Sequence, residues 1–347
     1  MSNPQKAKDL IEVKSPDELS VQSRNAMGTV FTIYLYARDG GQASASLEAA
    51  FEEIERLEEA LSDYRATSEL SRINRLAARQ AVTTDPEVFA LLQRSLAYSR
   101  RSAGAFDVTV GPLMRAWGFF RGKGRYPTDR ELRRARESVG SEKVDLDPAA
   151  RTVRFAAPGV ELDLGAIGKG YAVDRAVKVL REAGVKAALV DAGSSTLYAM
   201  NAPPGKSGWT VHVPMPGDRS QTVSTVTLRN ESLSTSGSYE KFFQLDGHRY
   251  CHVMDPRNGV PVQGVLQATL IAPDSTTTDA LSNAMFVMGP EAGRKLLATV
   301  PGARGLWILG EPGAQRLVQW QWPDCAGDGN ERTLAAKREK GKGQKTG

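Results

Sequence analysis

The 347-residue sequence has few cysteines and no long hydrophobic run. Its two cysteines, Cys251 and Cys325, lie far apart and lack CxxC spacing, which argues against a disulfide framework or a zinc cluster. The longest apolar runs, such as "KAALV" and "GLWILG", are much too short to cross a bilayer, so we expect no transmembrane helix.

The N-terminal segment also lacks the apolar stretch and the small-residue cleavage site of a secretory signal. We therefore expect a cytoplasmic protein; a periplasmic or membrane-anchored protein whose leader had been trimmed would show the same sequence. We predict a flexible lead over residues 1–20 and a single two-lobed domain over residues 21–322. Residues 323–347 are predicted to form a basic, disordered tail.

The formal net charge of +5 is concentrated at the C-terminal end of the chain. Six basic and two acidic residues follow position 330, so the rest of the chain is almost neutral. Nucleic-acid binding needs a strongly basic surface, and the sequence outside the tail does not supply one. We therefore expect no nucleic-acid partner.

Hydrophobic periodicity predicts an α+β protein with substantial antiparallel pairing. The stretch "SASLEAAFEEIERLEEALSDY" places its apolar residues on one helical stripe. From "TVRF" onwards we predict a strand, loop, helix, strand unit that ends with "KAALVDAG" and includes "GVELDLG" as a strand. The other predicted strands are 29–36, "GWTVHVPM", "QTVSTVTLRN", "FFQLDGHRYCHVMD" and "VLQATLIAP", and the other predicted helices are 86–102, one from Thr128 and one in "TTTDALSNAMF".

The segment "LDLGAIGKGYAVD" places three glycines and Lys169 in the loop before a predicted helix. Such a loop lets backbone amides approach a ligand, and a helix N-terminus with a nearby lysine favours phosphate. The spacing matches neither the GxGxxG fingerprint nor a Walker A loop. A tight turn that merely exposes a lysine explains the same residues equally well.

Two further segments carry polar residues in otherwise apolar surroundings. In "TTTDALSNAMF", a helix would place Asp279, Ser282 and Asn283 on one face. Helix capping by the first residues of this segment is the alternative explanation. In "YCHVMDPRNG", His252 lies at a strand end before a turn, where it is suited to proton transfer or ligand contact; a purely structural histidine remains the alternative.

Seven segments in this order resemble the family of FAD:protein FMN transferases, or ApbE-like flavin transferases. The resemblance covers roughly residues 21–310, and several long motifs in register are far more specific than any one alone. The segments are "MGT", "LSDYRATSELSRIN", "GAFDVTVGPL", "LDLGAIGKGYAVDRA", "STSGSYEKFF", "YCHVMDPRNG" and "APDSTTTDALSNAMFVMG".

The resemblance implies a fold of T-fold-like antiparallel sheets with packed helices, in two lobes around a central cleft. It also implies a transferase that joins FMN from FAD, through a phosphoester bond, to a Thr or Ser hydroxyl of an acceptor protein, such as a subunit of a redox complex, and releases AMP. By position, the residues implied to contact FAD are Met27, Tyr64, Ala105, Phe106, Asp107, Asp163, Lys169 and His252.

The resemblance further implies a Mg²⁺ ion held by the Ala166 carbonyl and by the side chains of Asp279 and Asn283. Such oxygen ligands suit Mg²⁺, which also takes substrate phosphate oxygens. Lys169, Asp279 and His252 are the implied catalytic residues.

The sequence departs from the family pattern at Asn283, where relatives commonly have threonine, and at "LVDAGSSTL", where they often show a Gly-Gly-Asp turn. Two alternatives to the transferase stay open at this point. One is a Mg²⁺-dependent FAD pyrophosphatase that yields FMN and AMP, and the other is a non-enzymatic FAD-binding protein.

Overall fold

The structure, a computed structural model, describes residues 19–311, 314–323 and 331–334. The helices in these ranges are α1 (Gly40–Leu61), α2 (Glu69–Leu76), α3 (Pro86–Arg101), α4 (Gly111–Ala116), α5 (Asp129–Arg136), α6 (Gly168–Glu182) and α7 (Ser275–Leu297). The strands are β1 (Leu19–Ala26), β2 (Thr29–Tyr36), β3 (Val82–Thr83), β4 (Val144–Asp147), β5 (Thr152–Phe155), β6 (Ala187–Ala192), β7 (Thr196–Met200), β8 (Trp209–Met215), β9 (Asp218–Leu228), β10 (Glu231–Gly237), β11 (Phe242–Leu245), β12 (His248–Cys251), β13 (Met254–Asp255), β14 (Val260–Pro261), β15 (Val265–Ala272), β16 (Arg304–Glu311), β17 (Ala314–Trp320) and β18 (Glu331–Leu334).

A nine-stranded antiparallel sheet forms the centre of the molecule, in the order β1-β2-β6-β7-β10-β15-β16-β17-β18. Helices α1, α6 and α7 cover one face, and the β8–β9 hairpin covers much of the other. The side chains of successive β6 residues therefore point to opposite faces of the sheet and pack in different cores. Val190 packs in the core that contains the helices, and Leu189 packs in the core that contains Trp209. Burial on both faces explains why "AALV" is apolar throughout instead of alternating.

The predicted strand at 29–36 and the predicted helix at 86–102 are confirmed almost to the residue, as β2 and α3. The predicted strand in "GVELDLG" is wrong. There the backbone of Leu162 exchanges hydrogen bonds with the side chain of Asn74, at 2.8 and 2.9 Å, and not with a neighbouring strand. The predicted strand, loop, helix, strand unit therefore lacks its strand directly before the loop.

Helices α6 and α7 cross at Gly170 with almost no space between their backbones. A Cβ atom at this glycine would lie 2.1 Å from the Ser275 carbonyl oxygen and 2.6 Å from the Cβ of Asp279. Only glycine fits this contact. The close crossing brings the glycine loop and the polar stripe of "TTTDALSNAMF" together.

A second, smaller core lies beside the central sheet and contains α4 and α5. Trp117 anchors this core: its indole N–H donates to the Gly259 carbonyl at 2.9 Å, and its ring contacts Tyr126 and Tyr250. The short sheets β11–β12 and β13–β14 contribute to the same lobe. The mixed fold with antiparallel sheets is therefore confirmed.

The two predicted terminal segments differ in part from the structure. Strand β1 begins at Leu19, within the predicted lead, and β18 pairs with β17 inside the predicted disordered tail. Apart from Pro323, the remaining parts of both segments, including Cys325, lie outside the described residues. Among the described helices, none combines the length and hydropathy needed to span a membrane.

Candidate active site

A cleft of about 890 Å³ opens between the two lobes. This volume lies near the upper end of the usual range for small-molecule sites. The cleft contains all but one of the FAD-contacting, metal-binding and catalytic residues predicted from the sequence. Those lining it are Met27, Tyr64, Phe106, Asp107, Asp163, Ala166, Lys169, His252, Asp279 and Asn283.

Asp279 lies in α7 and points at the start of α6. Its Oδ2 accepts a hydrogen bond from the Gly170 amide at 2.9 Å, and its Oδ1 accepts one from the Thr196 hydroxyl at 3.0 Å. The N-cap of α7 is a different residue, Asp274, whose side chain accepts from the Thr277 amide. Asp279 is therefore not the cap of its own helix. It serves the N-terminus of α6, where a negative charge is favourable.

Lys169 lies between the carboxylate and the glycine loop. Its Nζ donates to the Gly165 carbonyl at 3.1 Å and lies 3.6 Å from Oδ1 of Asp279. A cation beside the N-terminus of α6 makes this end of the cleft attractive to phosphate groups.

The oxygen donors of the predicted metal site line the same end of the cleft. Because the Gly170 amide is directed to Asp279, no amide among the described residues donates to the Ala166 carbonyl. Asn283 lies one turn after Asp279 and its side chain is only partly buried. One carboxylate with two neutral oxygens is a ligand set that suits Mg²⁺ when substrate phosphates complete the coordination. In the described part of the chain, no cluster of three or more His, Cys, Asp or Glu side chains competes with it.

His252 lies in the cleft as a neutral base. Its Nδ1 lies 3.2 Å from the Lys241 carbonyl oxygen, which can only accept, so the ring hydrogen is on Nδ1 and the lone pair is on Nε2. Burial, with the positive charges of Lys241 and Lys169, lowers the pKa of His252 to about 4. The ring is therefore uncharged at neutral pH and able to accept a proton.

Two neighbouring carboxyl groups line the wall near the glycine loop. Asp163 accepts a hydrogen bond from the Gly165 amide at 2.8 Å, and burial raises the pKa of its carboxyl group. Burial and the charge of Asp163 raise the pKa of Asp63 to about 7. Partial burial and mutual repulsion therefore both disfavour ionisation of these two carboxyl groups.

Aromatic and thioether side chains line the mouth of the cleft. Tyr64 is 49% exposed and stacks on Phe120 with 4.8 Å between ring centroids. Met27 and Gly28 form the two-residue turn between β1 and β2, both with positive φ, which places Met27 at the cleft. Both side chains suit contact with a flat ring system.

Two predicted contacts have mainly internal partners. Ala105 is fully buried and does not line the cleft. The carboxylate of Asp107 accepts hydrogen bonds from the Thr109 amide and hydroxyl and from the Ser141 amide. Asp107 therefore holds the turn of the cleft wall in shape, and its side chain has little capacity left for a ligand.

Sequence reasoning missed Thr196, Asp63 and Lys241, all of which touch the site. Asp63 and Lys241 lie inside the motifs "LSDYR" and "SYEKFF", so their position in those segments was the available signal. Thr196 carried no signal, because only the fold of β7 brings it to Asp279.

The fold and the site define a class: an α+β protein whose interlobe cleft is suited to a phosphorylated ligand with a flat ring system. The chain belongs to the ApbE family, whose model matches residues 27–307.

Individual relatives support this assignment. The chain is 33% identical over 299 residues to FAD:protein FMN transferase of Treponema pallidum, covering 82% of each chain, and 34% identical over 270 residues to an enzyme of the same name from Klebsiella pneumoniae, covering 77% of this chain and 82% of that one. The crystal structure of the ApbE protein from Thermotoga maritima matches with a TM-score of 0.78 at 33% identity, covering 86% of this chain and 96% of that one. The apo form of the flavinyl transferase ApbE from Pseudomonas stutzeri matches with a TM-score of 0.76 at 27% identity, covering 93% of this chain and 96% of that one.

Proposed function

We propose that this protein transfers FMN from FAD to a Thr or Ser hydroxyl of an acceptor protein and releases AMP. Membership of the ApbE family, whose relatives are named FAD:protein FMN transferases, supports the overall reaction. In this chain, the observation that supports the proposal is that a neutral His252, Lys169 and Asp279 lie in the same cleft.

The reaction needs a nucleophile, a proton acceptor and charge stabilisation at the pyrophosphate. The acceptor hydroxyl attacks the phosphorus atom of the FMN half, and the bond between that phosphorus and the bridging oxygen of AMP breaks. Nε2 of His252 takes the hydroxyl proton, because Nδ1 already donates to Lys241. The ammonium group of Lys169 stabilises the negative charge that develops on the AMP phosphate.

We propose that the Ala166 carbonyl, the Asp279 carboxylate and the Asn283 carboxamide would hold a Mg²⁺ ion next to the phosphates of FAD. The Ala166 carbonyl, which accepts from no backbone amide within the described ranges, and the oxygen-only ligand set support this assignment. When bound, the ion polarises the pyrophosphate and neutralises part of its charge. Asp279 keeps its position without the ion through its bonds to Gly170 and Thr196.

The remaining residues bind FAD. Tyr64 and Met27 are positioned to contact the flat rings, and Asp163 holds the glycine loop in the conformation that presents Lys169. Phe106 closes the buried side of the cleft.

The test is to incubate the purified protein with FAD, MgCl₂ and protein extract from cells that lack this gene. We expect a fluorescent band on a denaturing gel, a Thr or Ser peptide heavier by one FMN group, and AMP in equal amount. His252→Asn should abolish the band while FAD still binds.

Free FMN and AMP without any modified protein would instead indicate a pyrophosphatase. FAD binding without AMP release would indicate a binding protein. Either result would overturn the proposed transfer.

A further inference from the structure

Among the described residues, nothing pairs with one edge of the hairpin formed by β11 and β12. Its two-residue turn makes Leu245 and His248 the first hydrogen-bonded pair. In an antiparallel ladder such pairs recur at every second residue, and the bond from the His252 amide to the Lys241 carbonyl, at 3.0 Å, has the expected register. The amide and carbonyl groups of Phe242 and Gln244 therefore point away from β12.

The outward groups of β11 have no partner among the described residues. No backbone or side-chain hydrogen bond in that part of the chain reaches the backbone of Phe242 or Gln244. The opposite edge of the hairpin is partly covered, because the Gln263 side chain donates to the Arg249 carbonyl at 3.0 Å. A strand edge left open in this way is a template for pairing with another extended segment.

The hairpin is anchored from one side and exposes two apolar side chains of β11 among polar ones, with the Arg249 guanidinium 4.2 Å from the centroid of the Phe242 ring. Phe243 stacks on Tyr250 with 5.1 Å between ring centroids and also contacts Trp117 and Phe119. On the exposed strand, Phe242 is 39% accessible and Leu245 is 42% accessible. The edge is therefore held in place while it presents apolar surface to a partner.

The open edge leads directly into the cleft. β11 begins immediately after Lys241, which lines the cleft, and the carbonyl of Lys241 holds the ring of His252. The four residues of β11 extend about 13 Å from that point. A segment paired with β11 would therefore run from the hairpin tip to Lys241, the residue whose carbonyl contacts the ring of His252.

We propose that β11 binds an extended segment of the acceptor protein as an added strand, next to the hydroxyl that receives FMN. Strand addition obtains affinity from main-chain hydrogen bonds and specificity from alternate side chains. The exposed Phe242 and Leu245 favour apolar side chains in the bound segment. This inference rests on the proposed transferase function.

The test compares Gln244→Pro with Gln244→Val. Proline removes the outward amide and places its ring on the open edge, yet the bonds to β12 remain, because proline is tolerated at an outward edge position. The probe is the acceptor protein modified in the assay described above. We expect Gln244→Pro to lower kcat/KM for this acceptor at least tenfold and Gln244→Val to change it less than twofold. The Kd for FAD should stay within twofold of wild type in both variants.

A second measurement does not depend on the stability of the variant enzyme. Proline is placed in turn at each position flanking the modified residue of the acceptor, and wild-type enzyme is used throughout. Because only every second amide of an added strand pairs with β11, transfer should fall at alternate positions.

Equal transfer by wild type and Gln244→Pro, or loss without alternation in the acceptor scan, would overturn strand addition while leaving the transferase intact. If wild type modified no protein at all, the proposed function itself would fail and this inference with it.

Discussion

At the scale of single residues, His252 makes the stability of the protein sensitive to acid. Its pKa in the folded protein is about 4, below the usual value of about 6.5. Between these values the unfolded chain binds a proton that the folded protein does not, so stability falls as the pH drops from about 6.5 to about 4. Above pH 6.5 the ring is neutral in both states and has no such effect.

We predict that His252→Asn removes this part of the acid sensitivity. The difference in unfolding free energy between pH 7 and pH 4 should be smaller in the variant by at most about 3 kcal/mol. Urea unfolding at several pH values measures it, and His248→Asn, an exposed histidine, is the control. An unchanged pH dependence in His252→Asn would show that the folded protein does not hold this ring neutral.

Asp279 combines a structural contact with its proposed place at the metal. Asp279→Ala leaves the buried Gly170 amide without an acceptor and should lower the unfolding free energy by about 1–3 kcal/mol. Asp279→Asn retains an acceptor oxygen and should cost less stability, yet both variants should lose FMN transfer by a hundredfold or more. Urea unfolding and AMP release separate the two effects. Transfer at the wild-type rate by Asp279→Asn would contradict the role of the charge.

At the scale of elements, the crossing of α6 and α7 sets the geometry of the site. Gly170→Ala would force the two backbones apart, and we expect a loss of about 1–3 kcal/mol or more. Gly168→Ala is a matched control in the same loop, because its new Cβ would have only the Leu164 Cβ near it, at 4.0 Å. Thermal unfolding of both variants checks this, and equal destabilisation would contradict a specific contact at Gly170.

At the scale of the whole molecule, the cleft joins two separate cores. A ligand that binds only the folded protein stabilises it by about 2.7 kcal/mol at one hundred times its Kd. We predict that FAD with MgCl₂ raises the melting temperature and that EDTA removes part of this rise. Because Asn283 is one of the proposed ligands, Asn283→Ala should shift the MgCl₂ midpoint upwards. A melting temperature indifferent to MgCl₂ in the presence of FAD would contradict the metal site.

Much of the candidate site could be predicted because its residues lie in sequence motifs that occur in the same order as in the family it resembles. Ten of the predicted positions line one cleft, although they come from segments as distant as Met27 and Asn283. Ala105, also predicted as a contact, is buried away from the cleft, because a motif does not reveal which of its residues face a ligand. Thr196 was missed for the opposite reason, since it lies in an ordinary strand that only the sheet order brings beside Asp279.

The sequence by itself determined the local elements: the apolar stripe of α1, the alternation of β2, and the glycines that permit a close helix crossing. Tertiary structure alone decided that "GVELDLG" is not a strand and that Asp279 accepts a hydrogen bond from α6 instead of capping its own helix. It also decided that no other strand in the described part of the chain pairs with the outer edge of β11. The physical reason is that periodicity and propensity act between residues near in sequence. The partners of Leu162 and of Asp279 come from distant segments, and a strand edge is open or paired only once the other strands are in place.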